Sequence, residues 1–83
     1  MRRLEPILTA AAFRRLGEAM YGPQWQTPMA RAIGVTDRTV RYMAAGERGI
    51  HEGTVAALVP AILDRVAFMS ATADRLRRTL EEE

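Results

Sequence analysis

Apolar residues recur along this chain in three short stripes punctuated by glycine, and then in one long stripe towards the end. Phe13, Leu16 and Met20 stand at helical spacing, with Thr9 ahead of them as an N-cap. Leu8 and Phe13 fall at the N′ and N4 positions, where a hydrophobic staple packs. Gly22-Pro23 stops the pattern, so a first helix is predicted from Thr9 to about Tyr21. A short entry segment from Leu4 to Leu8, broken by Pro6, precedes it. The connection from Gln24 to Thr27 holds Trp25, which reads as core packing. Thr27-Pro28 then reads as N-cap and N1 of a second helix, with Met29, Ala30 and Ile33 facing inward. Gly34 ends that helix with an expected positive φ.

The third stripe opens with Thr36 as cap and Asp37 at N1, where a carboxylate complements the helix dipole. Val40, Met43 and Ala44 form its inward face; Arg38, Arg41, Tyr42 and Ala45 form the opposite one. Gly46 closes it, and Ile50 is the expected anchor of the loop that follows. Gly53-Thr54 begins a further helical run with Val55, Leu58 and Val59 as its apolar face. Pro60 interrupts this run at a cost of ~3 kcal/mol inside a helix, which predicts a short fourth helix, a break or kink, and a fifth helix from near Pro60. Val59, Ile62, Val66, Met69, Ala73, Leu76 and Leu80 follow one another at steps of 3, 4, 3, 4, 3 and 4, a heptad seam. Its flanking positions hold Leu63, Arg65, Ser70, Thr72, Arg77 and Thr79 rather than the Glu and Lys of a strong zipper. Glu81-Glu82-Glu83 reads as a frayed tail.

The pattern therefore predicts an all-α protein: a compact four- to five-helix bundle with a helix-turn-helix and a longer C-terminal helix. Residues 1–58 would be the helix-turn-helix domain and residues 59–83 a dimerisation element, within one structural domain overall. The chain has 83 residues and no cysteine, so disulfides and thiolate sites are excluded. A chain this small often gains stability by oligomerising. Ile62, Val66, Met69, Ala73, Leu76 and Leu80 are accordingly the expected homodimer contacts.

His51 is the only histidine and lies beside Glu52, which reads as a surface or turn residue rather than a switch. No nucleophile–base or carboxylate pair falls on a common surface, which points away from an enzyme. No cofactor, metal or small-molecule ligand is expected. Arg2 and Arg3 are followed by Glu5 and Pro6, which break the apolar run and argue against a signal peptide. No stretch approaches the ~18 apolar residues of a membrane span, so the chain reads as soluble and cytoplasmic, with no membrane partner.

The basic residues are all arginine. Residues 1–51 carry eight Arg against four acids, a net of +4, and residues 52–83 carry four Arg against six acids, a net of −2. The positive excess thus lies in the half that holds the two short helices, as an electrostatic footprint for DNA would. Arg38 and Arg41 can each pair bidentately with guanine O6 and N7. Asp37 can hold Arg41 at i, i+4, or accept from a cytosine N4. Tyr42 offers a hydroxyl to a phosphate and a ring to a thymine methyl. These four are the candidate base-reading residues. Gln26, Thr27, Thr36, Thr39 and Arg48 are the candidate phosphate contacts, which position without specifying. Arg31 reads as a solvated surface charge.

Ala30 at the crossing, Gly34 at the turn, and Val40 and Met43 six and nine residues on make a joint constraint. On those positions, residues 8 to about 54 resemble the Cro/CI-type (XRE-like) helix-turn-helix of phage and prophage repressors. The resemblance implies a third helix lying in the major groove, with Asp37, Arg38 and Arg41 towards base edges and Gln26 on a phosphate. The chain departs from the pattern at Pro28, which has no N–H. The implied function is sequence-specific transcription regulation. A homodimeric repressor would occupy an inverted repeat in double-stranded DNA and autoregulate a small phage or mobile-element operon, as anti-CRISPR-associated regulators do. The alternative is an antitoxin or other interaction module whose C-terminal helix binds a partner protein.

Overall fold

The computed structural model describes residues 7–82, and 76% of the described residues are helical. Four helices follow one another: α1 (Ala10–Tyr21), α2 (Gln26–Ile33), α3 (Asp37–Ala44) and α4 (Glu52–Glu81). Among the described residues there is no strand; Leu8 and Ile50 form a lone antiparallel bridge, with the Ile7 N–H donating to the Ile50 carbonyl at 2.8 Å. The expectations placed on Arg2, Arg3, Glu5, Pro6 and Glu83 lie outside the described residues.

α1 starts where a threonine can cap it. The Thr9 hydroxyl accepts from the Ala12 N–H at 3.1 Å, and Gly22, at φ 84°, ends the helix by donating to the Glu18 carbonyl. Its fully buried positions are Phe13, Gly17 and Met20, while Leu16 is only half-buried. Gly17 belongs in the stripe because Trp25 lies on it: a Cβ there would fall 2.1 Å from the indole Cε3. The same indole meets the Phe13 ring edge-to-face, with centroids 5.3 Å apart. Trp25 is therefore core, as its position predicts.

α2 begins two residues earlier than Thr27-Pro28 suggests. Trp25 occupies the cap position with no side-chain cap bond, and the first intrahelical bond runs from the Met29 N–H to the Trp25 carbonyl. Pro28 is then the third helical residue. It remains within the first turn, where a backbone N–H has no partner inside the helix, so the ring is tolerated. Gly34, at φ 75° and ψ 33°, is left-handed and turns the chain, and the Val35 N–H closes back onto the Ala30 carbonyl at 3.0 Å. Thr36 caps α3 by accepting from the Thr39 N–H at 3.1 Å. Only three residues, Gly34 to Thr36, separate α2 from α3.

The core gathers Phe13, Trp25, Met29, Ala30, Val40, Met43 and Ile50, with no buried polar or charged side chain among the described residues. Ile50, 1% exposed, is the loop anchor expected of it. α2 is the shared element, packing against α1, α3 and α4.

α4 corrects the sequence reading in three ways. First, it is one helix of thirty residues with Pro60 inside it, not a fourth and a fifth helix. It begins at Glu52, with His51 at the cap position, rather than at Gly53-Thr54. Both Pro60 and Ala56, whose carbonyl loses its donor, are exposed, so water can satisfy that carbonyl. On the other face Leu58 and Ala61 are buried and hold the helix to the core on both sides of the proline. Second, Val59 is half exposed, and Ala61 takes the inward place expected of it. Third, the molecule is elongated, 55 × 29 × 20 Å with a radius of gyration of 15.6 Å, rather than a compact bundle. A thirty-residue helix is about 45 Å long, and α4 buries no residue fully beyond Ala61, so its distal part projects from the globular part.

α4 is also long and apolar enough to cross a membrane by length and composition, with a mean hydropathy of 1.5 over eighteen residues. That overturns the expectation that no stretch approaches a span. Asp64 and Arg65 stand mid-helix, and each such charge costs ~2.5–3.5 kcal/mol at a bilayer centre on insertion scales.

Candidate nucleic-acid interface

α3 presents a polar face because its apolar residues are spent on the core. Val40 and Met43 are buried, which leaves Arg38, Arg41 and Tyr42 exposed on the other side. Arg38 and Tyr42 are coupled. The Arg38 Nε donates to the Tyr42 hydroxyl at 3.0 Å, and the guanidinium carbon lies 5.5 Å from the ring centroid. Such a pair costs little in water and stiffens both side chains. The terminal nitrogens of Arg38 are left to present outward as a fork. Arg41, one turn on, is exposed in the last turn of the helix.

Asp37 is not paired with Arg41. Its carboxylate accepts from the Thr27 hydroxyl at 2.7 Å, joining the first turn of α3 to the first turn of α2. It is half-buried, and the bond to Thr27 engages Oδ2. Thr27 spends its one hydroxyl proton on that bond, so it has none for a phosphate oxygen. Thr36 is likewise committed: its hydroxyl accepts from the Thr39 N–H and donates to the Thr39 hydroxyl at 3.1 Å. Thr39, half-buried, keeps its own hydroxyl proton. Gln26 sits at the first position of α2, half-buried, next to backbone N–H groups that the helix does not use.

Arg48 is exposed in the loop after α3, and its backbone N–H is tied to the Tyr42 carbonyl at 3.2 Å. Tyr42, Glu47 and Arg48 together line a shallow depression of about 500 Å³. Glu47 thus places a carboxylate on the rim where Arg48 and Tyr42 meet. Arg31 is exposed in the last turn of α2, consistent with a solvated charge.

Two arginines do work that sequence reading missed. Arg65, from α4, donates through Nε to the Met20 carbonyl at 2.7 Å, and its guanidinium lies over both Tyr21 and Phe68. α1 has no basic residue in its own last turn, and Arg65 serves as its C-terminal counter-charge across the fold. Arg14, from α1, donates to the Ala44 carbonyl at the end of α3. Neither pairing has a local signal, since the partners stand 45 and 30 residues apart.

The expected dimer contacts form a solvent-facing strip. Ile62 is half-buried; Val66, Met69 and Leu76 are 56–58% exposed, Leu80 is 73% exposed, and Ala73 is exposed. Leu63 and Phe68 are also exposed, off the seam. Among the described residues no three His, Cys, Asp or Glu side chains cluster as a metal site would require.

The described residues define an all-α protein of four helices with one long, partly unsupported helix. No family model, curated protein or solved structure matches the chain.

Proposed function

We propose that this chain is a sequence-specific DNA-binding transcription regulator, a repressor that occupies an inverted repeat as a homodimer. The observation that carries the reading is the α3 face. Two exposed arginines and a tyrosine lie on a short helix that is capped by Thr36, turned by Gly34 and braced through Asp37–Thr27. A helix-turn-helix inserts its second helix into the major groove with this kind of face. Arg38 and Arg41 are the base readers, each worth ~1–3 kcal/mol of discrimination. Tyr42 aims Arg38. Asp37 positions α3 instead of reading a base. Arg48, Gln26 and Thr39 supply backbone contacts, and the positive excess of residues 1–51 supplies the salt-dependent attraction. Cytoplasmic action and autorepression by promoter occlusion go with this reading.

Titration of the DNA flanking the gene tests it. Wild type is expected to give a footprint with two-fold symmetry. The Arg38→Ala/Arg41→Ala double variant should lose at least ~30-fold in affinity, from the two discrimination terms above, while unfolding with unchanged stability. Binding of the double variant with wild-type affinity and sequence preference sinks the assignment. The exposed face of α4 favours a second reading, an antitoxin-like module that binds a different protein. A protein that sediments as a monomer at micromolar concentration would support that rival.

A further inference from the structure

An apolar groove of about 550 Å³ runs between α1 and α4. Ala19 and Met20 form one wall; Ile62, Val66, Met69 and Ala73, the first part of the heptad seam, form the other. The rest of the seam, Leu76 and Leu80, lies beyond the groove and is exposed, with no described residue of its own chain covering it. The seam is also symmetric: from Ile62 to Leu80 the steps are 4, 3, 4, 3 and 4, the same in either direction about position 71.

We infer that the groove is occupied by the distal part of α4 from a second copy, running antiparallel. The inference rests on the homodimer reading above and fixes its geometry. Reversal about position 71 sets Ile62 against the partner's Leu80, Val66 against the partner's Leu76, and Met69 against the partner's Ala73. Seam positions of the two kinds then face each other, as antiparallel packing requires. The long Met69 fills the space left by the partner's Ala73. A parallel in-register pair would instead stack alanine on alanine and leave a void at that layer. Ser70 and Thr72, which flank the seam at its centre, are small and do not hold the two helices apart.

Charge and the exposed strip agree with this occupant. A parallel pair would bring Glu81 and Glu82 beside their own copies. The antiparallel pair carries them back towards the partner's globular half, where residues 1–51 hold a net of +4 and Arg65 rims the groove. The exposed apolar side chains of both helices, with the groove walls, form one continuous strip for the partner to cover, and a specific, stable interface buries roughly 1,200 Å² or more.

The chain has no cysteine, so introduced thiols are unique. Val66→Cys and Leu76→Cys both fall on exposed positions, and circular dichroism verifies that each variant stays helical. The two variants are mixed, allowed to exchange, and treated with a short bis-maleimide; sedimentation is run in parallel. The expected result is a dimer by sedimentation, a covalent dimer from the mixture, and none from Leu76→Cys alone, because its two thiols would lie about 15 Å apart along the helix axis. A dimer in which Leu76→Cys bridges to itself, or in which the mixture does not bridge, overturns the antiparallel register alone. A monomer at micromolar concentration overturns the register and the homodimer together. DNA is absent throughout, so a failure of operator recognition is read separately.

Discussion

The globular half and the projecting half of this molecule spend apolar residues differently. Between Phe13 and Ala61, the stripes of four helices converge on one another, and Phe13, Met29, Val40 and Ile50 are fully enclosed. Beyond Ala61, α4 carries Leu63, Val66, Phe68, Met69, Leu76 and Leu80, all more than half exposed. The residue types are the same in both halves. The difference is whether another element stands opposite. Hydrophobic patterning states that a face must be covered, but it does not state by what.

Substitutions can test that contrast, beginning with the largest effect. Phe13→Ala removes a fully enclosed ring that also supports Trp25. It should cost ~3–5 kcal/mol in urea unfolding, and a loss under ~1 kcal/mol would break the distinction between the halves. Gly17→Ala gains up to ~1 kcal/mol of helix propensity but drives a methyl to within 2.1 Å of the buried indole, so the Trp25 ring must shift. The net expectation is a loss of ~1–3 kcal/mol, with the tryptophan fluorescence shifted. Arg65→Met keeps the aliphatic stem and deletes the bond to the Met20 carbonyl. It should cost about 1 kcal/mol, read from the same unfolding curves. Leu76→Gln is the smallest in a monomer: 57% exposed, it should move the stability of dilute protein by under ~0.5 kcal/mol. In concentrated wild-type protein, Tm should rise with concentration, as linkage to assembly demands, and Leu76→Gln should flatten that dependence. An equally steep rise in the variant would place the association elsewhere.

Local chemistry made much of this structure legible. Thr9 and Thr36 cap helices because their hydroxyls stand beside free N–H groups, and Gly34 turns because only its backbone tolerates a positive φ. The arginine face of α3 follows from the burial of Val40 and Met43 alone. What sequence reading missed depended on partners far along the chain. The penalty at Pro60 counts only the local lost bond and ring clash, whereas Leu58 and Ala61 on either side of the proline are buried against the core and hold the helix through it. Asp37 has an arginine at i, i+4, yet its proton donor comes from Thr27 in another helix. Arg65 sits on a heptad flank in the sequence and at the end of α1 in space. Propensity cannot anticipate such pairings, because they exist only after the helices have crossed.

The continuity of α4 through Pro60 has a metrical consequence. α2 packs against both α3 and α4, so the arginine face of α3 and the projecting helix are joined through one shared element. In a paired molecule the two reading faces would then be held like the jaws of a fixed caliper. One residue inserted after Ile62 would advance everything beyond it by about 1.5 Å and rotate it by roughly 100°. Under the proposed DNA-binding function, operator spacing would then be written in the length of α4, and the protein would measure its DNA as well as read it.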